Sequence, residues 1–440
     1  MRTGSKLAGM VVLLGLAACG REEQLESRGY GPSPTIPDRG KSLIPTLNPA
    51  PALADGWADG ATPEAPSGFK VTIAAQGLDH PRWLYVLPNG DVLVAEANKQ
   101  DHQFHGVQGL VMKSLEQRAG ALTKSADRLT LIHDPAGGGA PRASVFLGGL
   151  HSPFGMALIG ETLFIADTDA IVSVPYHSGD AQAAAAPRKL ADLPANPPND
   201  HWTRNLIASP DGRRLYVTVG SDSEAGEGGM AKEANRADIL TLNPDGSDLK
   251  VYASGLRNPG GLAWEPASHI LWVTVNERDL LGDDVPPDFM TGLKPGGFYG
   301  WPWSYFGGHV DARVKPPRPD MVAKAITPDY ALGAHTAPLG MMFYTGRAFP
   351  ATRRGGAFVA QHGSWNRTPR SGYKVIYIPF QQGRPSGPPR DFLTGFLDSR
   401  GQARGRPVDV VMDHSGALLV TDDVGNRVWR IAPVDAAASG

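Results

Sequence analysis

The chain has 440 residues, 41 % of them hydrophobic, and a formal net charge of -2. That is enough apolar material for a large core, and too little charge imbalance to point to a nucleic-acid partner. The 54 glycines and 39 prolines suit a turn-rich β architecture, and with Cys19 as the single cysteine no internal disulfide can contribute.

In chain order, the first element is an export signal. Arg2 and Lys6 precede an apolar stretch, Leu7 to Leu16, that is short for a permanent membrane span. It runs into Leu16-Ala17-Ala18-Cys19, which resembles the lipobox of bacterial lipoproteins. Residues 1–19 are therefore expected to be a lipoprotein signal peptide with Cys19 as the lipidated residue. The lipid would hold the protein on the periplasmic side of the cell envelope. Gly20 after the cysteine, where Asp would signal otherwise, points to the outer membrane. Residues 20–66 are rich in Pro, Gly, Ser and charge and read as a flexible tether.

From residue 67 to 433 one pattern recurs six times. A polar residue, often beside proline, precedes an apolar run, a short turn, and a second apolar strand. Examples are His80-Pro81 before Trp83-Leu84-Tyr85-Val86, and Arg257-Asn258-Pro259 before Leu262-Ala263-Trp264. The turns include Pro88-Asn89-Gly90, Pro210-Asp211-Gly212 and Ser415-Gly416, strong hairpin signals. About 60 residues per unit fit four strands with long loops. The expected fold is all-β, a six-bladed β-propeller. Phe69, Val71 and Ile73 alternate as a strand able to pair with the last blade and close the ring. Residues 434–440 read as a disordered tail. Residues in the same phase of each unit, His80, His151, His201, Arg257, His335 and Arg406, are expected around one central cavity.

Three sets of residues could carry chemistry there. Arg82, Arg204, Arg257, Arg367 and Arg406 sit at predicted loop ends, and converging guanidinium groups call for an anionic ligand. A salt-bridge network with Asp79, Asp200 and Asp409 is the alternative. Asp200-His201 is the candidate for acid/base work, because imidazole titrates near neutrality and a carboxylate could orient it. The loop after Val275 carries five acids in 12 residues, suited to calcium or to plain solvation. No His/Cys spacing fits zinc, and no Walker or GxGxxG motif follows a strand.

Several stretches together resemble the PQQ-dependent soluble sugar dehydrogenases, most closely the L-sorbosone dehydrogenase branch. They are Gly255-Leu256-Arg257-Asn258-Pro259, Asn276-Glu277-Arg278-Asp279 through Gly282-Asp283-Asp284, Gly297 to Pro302, His335 to Gly340, His362 to Arg367, and Gly405-Arg406-Pro407. The resemblance implies a six-bladed propeller that binds pyrroloquinoline quinone, a small quinone with three carboxylates, together with Ca²⁺. It implies His201 as general base, with Arg257, Asn258 and Arg406 as cofactor contacts. Arg367 would stand in for the family's quinone-contacting lysine, and His151 lies near a missing glutamine. Calcium would be held from the loop after the fourth blade's strand, with Glu277, Asp279, Asp283, Asp284 and Tyr299 as the candidates. Trp301, Trp303, Tyr305 and Trp365 could wall the cavity.

The expected reaction is oxidation of an aldose or sugar aldehyde, with electrons passed to a quinone or cytochrome. Two other readings stay open: a calcium-dependent propeller lactonase and a non-catalytic binding propeller. Glu96, Asp167, Asn276, Glu277 and Asp422 at strand ends would serve the lactonase if they converged on a metal.

Overall fold

The computed structural model describes residues 29–38, 46–54, 56–100, 106–133 and 142–434. Cys19 with its lipobox, and residues 435–440, lie outside the described residues.

Six sheets with at least four strands each follow one another along the chain, antiparallel but for Gly297–Phe298, which pairs parallel at the edge of the third. Their first strands are Pro81–Val86, Met156–Ile159, Leu206–Ala208, Asn258–Trp264, Pro338–Phe343 and Pro407–Met412. Each of these packs on the first strand of the next sheet, and the sixth packs back on the first. The result is a six-bladed β-propeller with those strands around the axis. The ring closes through Phe69–Gln76, which runs antiparallel to Arg427–Pro433 with Phe69 opposite Pro433 and Val71 opposite Ile431. Val434 continues this pairing by donating its backbone N–H to Gly68 O, so it belongs to the closing blade and not to the expected tail.

Apolar residues alternate along the strands and fill the spaces between blades. Six buried clusters among the described residues correspond to the six interfaces between neighbouring blades. The inner strands approach so closely that a Cβ on Gly261 would lie 2.4 Å from Leu339 O, which excludes any side chain there.

The six units are not equivalent. Blades 1, 4, 5 and 6 open their inner strand at or beside proline (Pro81, Pro259, Pro338, Pro407), and each has a register shift straight after it. Proline brings no N–H to the ladder, so a bulge follows. Blades 2 and 3 lack that opening, and their inner strands pair without a shift.

The expectation of a flexible tether over 20–66 fails for the described part. Tyr30–Gly31 adds an edge strand to blade 4, with Tyr30 opposite Leu332. Residues 46–66 lie on blades 5 and 6, where Ala50 and Trp57 are only 0 % and 3 % exposed. Trp57 sits edge-on to Phe396 and Trp429, and its Nε1 donates to Asp422 at 2.6 Å. The sequence is Pro-rich and without periodicity, yet one tryptophan and a run of backbone hydrogen bonds are enough to fix it.

Candidate active site

A cavity of about 470 Å³ opens where the loops before the inner strands converge. His80, His201, Arg257 and Arg406 line it, and His335 lines an adjoining recess of about 150 Å³ shared with Arg257 and Asn258. His151 does not join them. It is half exposed, lies 3.0 Å from Asp169, and borders a separate recess of about 100 Å³. Ser152, at φ 45°, is tied to Asn98 O at 2.7 Å and to Asp127, which holds that loop away from the axis. His201 likewise stands five residues before its strand, but its loop is clamped. The buried Arg204 donates to the carbonyls of Pro194, His201 and Thr203 at 2.6–2.9 Å. Arg204 is thus a brace for the His201 loop and not a cavity cation.

The His201 ring has one defined role for each nitrogen. Nδ1 lies 2.8 Å from Ser221 O and 3.1 Å from Ser221 Oγ. A carbonyl only accepts, so Nδ1 carries the proton and Nε2 keeps its lone pair. Burial, and then the positive charge of Arg257, push the imidazole down to about 3, so it is neutral in the resting protein. Gly220 makes room for this arrangement. A Cβ there would sit 2.5 Å from both His201 Cβ and Asn258 Oδ1.

The arginines fall into two kinds. Arg257 is compensated: its guanidinium bonds Glu224, lies 3.6 Å from Asp279, and donates to Glu277 O at 2.9 Å. Arg82 is also paired, bonding Asp423 while lying over Phe154 and Trp202. Arg406 is 1 % exposed and is bonded by its side chain only to Ala50 O, at 2.9 Å. Its guanidinium lies over Trp365 and Tyr373, 5.7 and 5.5 Å from the ring centres. Nε of Arg82, Arg257 and Arg406 and Oδ1 of Asn258 are buried without a partner among the described residues. The three orphaned Nε donors around a cavity of this size fit a small polycarboxylate such as PQQ, and the Asn258 oxygen awaits a donor. The alternative salt-bridge network is present with different acids: Asp423, Glu224 and Asp279 do the pairing. Asp409 caps the backbone N–H groups of Leu84 and Val410, and Asp200 bonds Lys99.

Other expected residues lie elsewhere. Arg367 turns to the blade 4 loop, bonding Asp283 O at 3.1 Å and Asp284 at 3.0 Å, and is not part of the cavity wall. The five candidate calcium ligands do not all converge: Glu277 and Asp279 line the recess beside Asn258, while Asp283, Asp284 and Tyr299 lie outside it. Glu277 pairs with the buried Arg278, Asp279 with Arg257 and His335, Asp283 with Thr46 and Thr368, and Asp284 with Arg367. The Tyr299 hydroxyl donates to Gly292 O and accepts from the Lys294 N–H, at the end of a blade 4 strand. His335, despite burial, is raised to about 8 by Asp279, so a protein cation already neutralises that acid. Among the described residues no three acids, histidines or cysteines cluster as a metal site, and this donor set does not fit a calcium ion. The strand-end acids fare no better. Glu96 is consumed by Arg128 and Thr130, and Asp422 by Trp57, Trp429 and two backbone N–H groups. Of the four expected wall aromatics only Trp365 lines the cavity, joined by Trp202.

Three participants escaped the sequence reading. Asp423 receives Arg82, His362 at 2.8 Å and, at 3.5 Å, His80. Burial opposes its ionisation, but these neighbours together hold the carboxyl well below the usual range. The signal was the doubled acid Asp422-Asp423, of which only the first was noticed. Lys99, from the end of a blade 1 strand, lines the cavity and bonds Asp200 beside His201. Glu224 lies in a loop with no pattern to flag it. A helix at Gly106–Arg118 in a blade 1 insertion also contributes Met112 and Glu116 to the wall.

Comparison with known proteins agrees with this geometry. The family model for glucose/sorbosone dehydrogenases matches residues 166–362, and one described as TrAA12-like matches 320–433. An uncharacterised protein of Borreliella burgdorferi is 30 % identical over 294 residues, covering 64 % of this chain and 76 % of that one. A pyrroloquinoline quinone-dependent pyranose dehydrogenase of Coprinopsis cinerea is 26 % identical over 298 residues, 52 % of this chain but only 39 % of its own length. The holo PQQ domain of the Coprinopsis cinerea pyranose dehydrogenase superposes with a TM-score of 0.67 at 22 % identity, covering 88 % of this chain and all of that one. The chain belongs to the glucose/sorbosone dehydrogenase family.

Proposed function

We propose that the protein oxidises an aldose or a related sugar aldehyde, sorbosone-like in class, in the central cavity, with PQQ as cofactor and His201 as general base. The observation that carries this is the His201 ring: neutral, its Nδ1 proton committed to Ser221 O, on the wall shared by Arg257, Asn258 and Arg406. Arg406 and Asn258, with the free Nε of Arg257, would hold the carboxylates of the cofactor. PQQ, when bound, supplies the hydride acceptor. His201 Nε2 takes the hydroxyl proton of the sugar, and Ser221 O stabilises the imidazolium that forms. Trp202 and Trp365 offer faces for rings and exclude water. No step is assigned to calcium, because the expected ligands are bonded elsewhere. Export as a lipoprotein through Cys19, residence on the periplasmic side of the outer membrane, and an envelope quinone or cytochrome as electron acceptor complete the proposal. They rest on the signal-like first 19 residues.

The test is PQQ titration of the purified full chain, followed by absorbance and by dye reduction across a panel of aldoses. His201→Ala should bind PQQ as the wild type does and lose turnover by about 10²–10⁴-fold. Failure of the wild type to bind PQQ would sink the dehydrogenase reading and leave a binding propeller.

A further inference from the structure

We propose that residues 46–54 together with Trp57, upstream of the first blade, form a strap that belongs to the cofactor site and sets the position of Arg406. This rests on the reading of Arg406 as a carboxylate-binding group.

The strap crosses the loops of blades 5 and 6 and is held at both ends. Near its start, Asn48 accepts from Arg370 at 2.7 Å and donates to Thr368 at 3.0 Å. Its backbone N–H also reaches Trp365 O at 2.7 Å. Near its end, Trp57 Nε1 donates to Asp422, the same carboxylate that receives the Arg406 backbone N–H at 2.8 Å. Between them Ala50 is 0 % exposed and bonded on both sides. Its carbonyl accepts from Arg406 Nη2, and its N–H donates to the Tyr373 hydroxyl at 3.1 Å, which in turn donates to Ser364 O. Tyr373 is also one of the two rings under the Arg406 guanidinium. Ala52 N–H then bonds Arg118 O, tying the strap to the end of the helix beside the cavity.

Arg406 therefore has no side-chain counterion among the described residues and takes its orientation from a backbone carbonyl outside the propeller repeat. A guanidinium fixed by a neutral carbonyl keeps its full charge for a ligand, whereas an acid in that place would cancel it. Ala50 and Trp57 are positioning residues on this account, since neither needs to touch substrate.

The test uses the full chain with Tyr373→Phe, which deletes the hydroxyl bonded to Ala50 N–H and Ser364 O and keeps the ring, and Trp57→Phe, which deletes the bond to Asp422 and leaves a smaller ring. The PQQ dissociation constant should rise about tenfold in Tyr373→Phe, where the buried Ala50 N–H loses its partner, and several-fold in Trp57→Phe. In an Arg406→Gln background the same changes should have no further effect, a coupling that general destabilisation would not give. PQQ affinity unchanged in both single variants, or effects that simply add to Arg406→Gln, would overturn the proposal. Should Trp57→Phe not fold, Tyr373→Phe carries the cycle alone. If the wild type binds no PQQ, the functional reading falls, and hydrogen exchange of the Arg406 amide in ligand-free protein judges the strap. Faster exchange in the variants supports it, and identical exchange overturns it.

Discussion

Arg257 and Arg406 enter the same cavity from blades 4 and 6, each one residue before an inner strand, yet they are held in opposite ways. Arg257 is locked among Glu224, Asp279 and the Glu277 carbonyl. Arg406 faces two aromatic rings and one backbone carbonyl. The first is a structural ion pair that also sets the local field. The second is a buried cation without an acid, a state that costs free energy until an anion arrives. Family motifs give both arginines the same role, and their surroundings divide it.

The largest effect that would break this comparison is on stability. Arg257→Gln leaves the partly buried Glu224 and Asp279 without their cation, and the fold should lose about 3 kcal/mol, read by denaturant unfolding. Arg406→Gln removes an uncompensated charge, so the unfolding midpoint should stay or rise. PQQ affinity should respond in the reverse order of severity. Loss of a two-pronged charged contact at Arg406 should weaken binding by about 100-fold or more by titration. If both variants lose stability alike and bind alike, the two arginines are equivalent and the division is wrong.

How far the sequence reached follows the same line. The blade count, the closing strand at Phe69–Gln76 and the convergence of His201, Arg257, Asn258 and Arg406 were legible, because strand alternation and a fixed phase place residues without knowledge of their partners. His151 failed because its loop is tied to Asn98 and Asp127, whereas the equally unbulged His201 loop is clamped by Arg204, so equal order in the sequence did not mean equal position. The strap and Glu224 failed because they act through single long-range contacts that leave no period. The acids after Val275 failed as metal ligands for a related reason. Composition shows how many carboxylates a loop carries, but not that Arg278, Arg257, His335 and Arg367 already answer them.

A smaller effect isolates the Arg257 side of the cavity. Gly220→Ala would drive a methyl into His201 and Asn258. One or both must shift by more than an ångström, and turnover should fall about tenfold or more, with less change in PQQ affinity than Arg406→Gln causes. Unchanged turnover would mean that the His201 ring has freedom the Ser221 contact does not show.

The smallest effect is on pH dependence, and it sharpens the comparison most. Burial, then Arg257, holds His201 near 3, well below its ordinary 6.5, while Arg406 is not among the groups that shift it. Between those two values the unfolded chain binds a proton that the folded chain does not, so this histidine makes stability rise with pH across that window and fall on acidification. In ligand-free protein the His201 ring should stay neutral by NMR to below pH 5. Arg257→Gln should move its titration upward by removing a nearby positive charge, and Arg406→Gln should leave it in place. Adding PQQ, whose carboxylates bring negative charge to the same wall, should raise it, bringing the base closer to the pH at which proton transfer is most effective. A His201 that titrates near 6.5 in the free protein would show that the cavity is wetter than its walls indicate, and that Arg257 acts there as an ion pair alone.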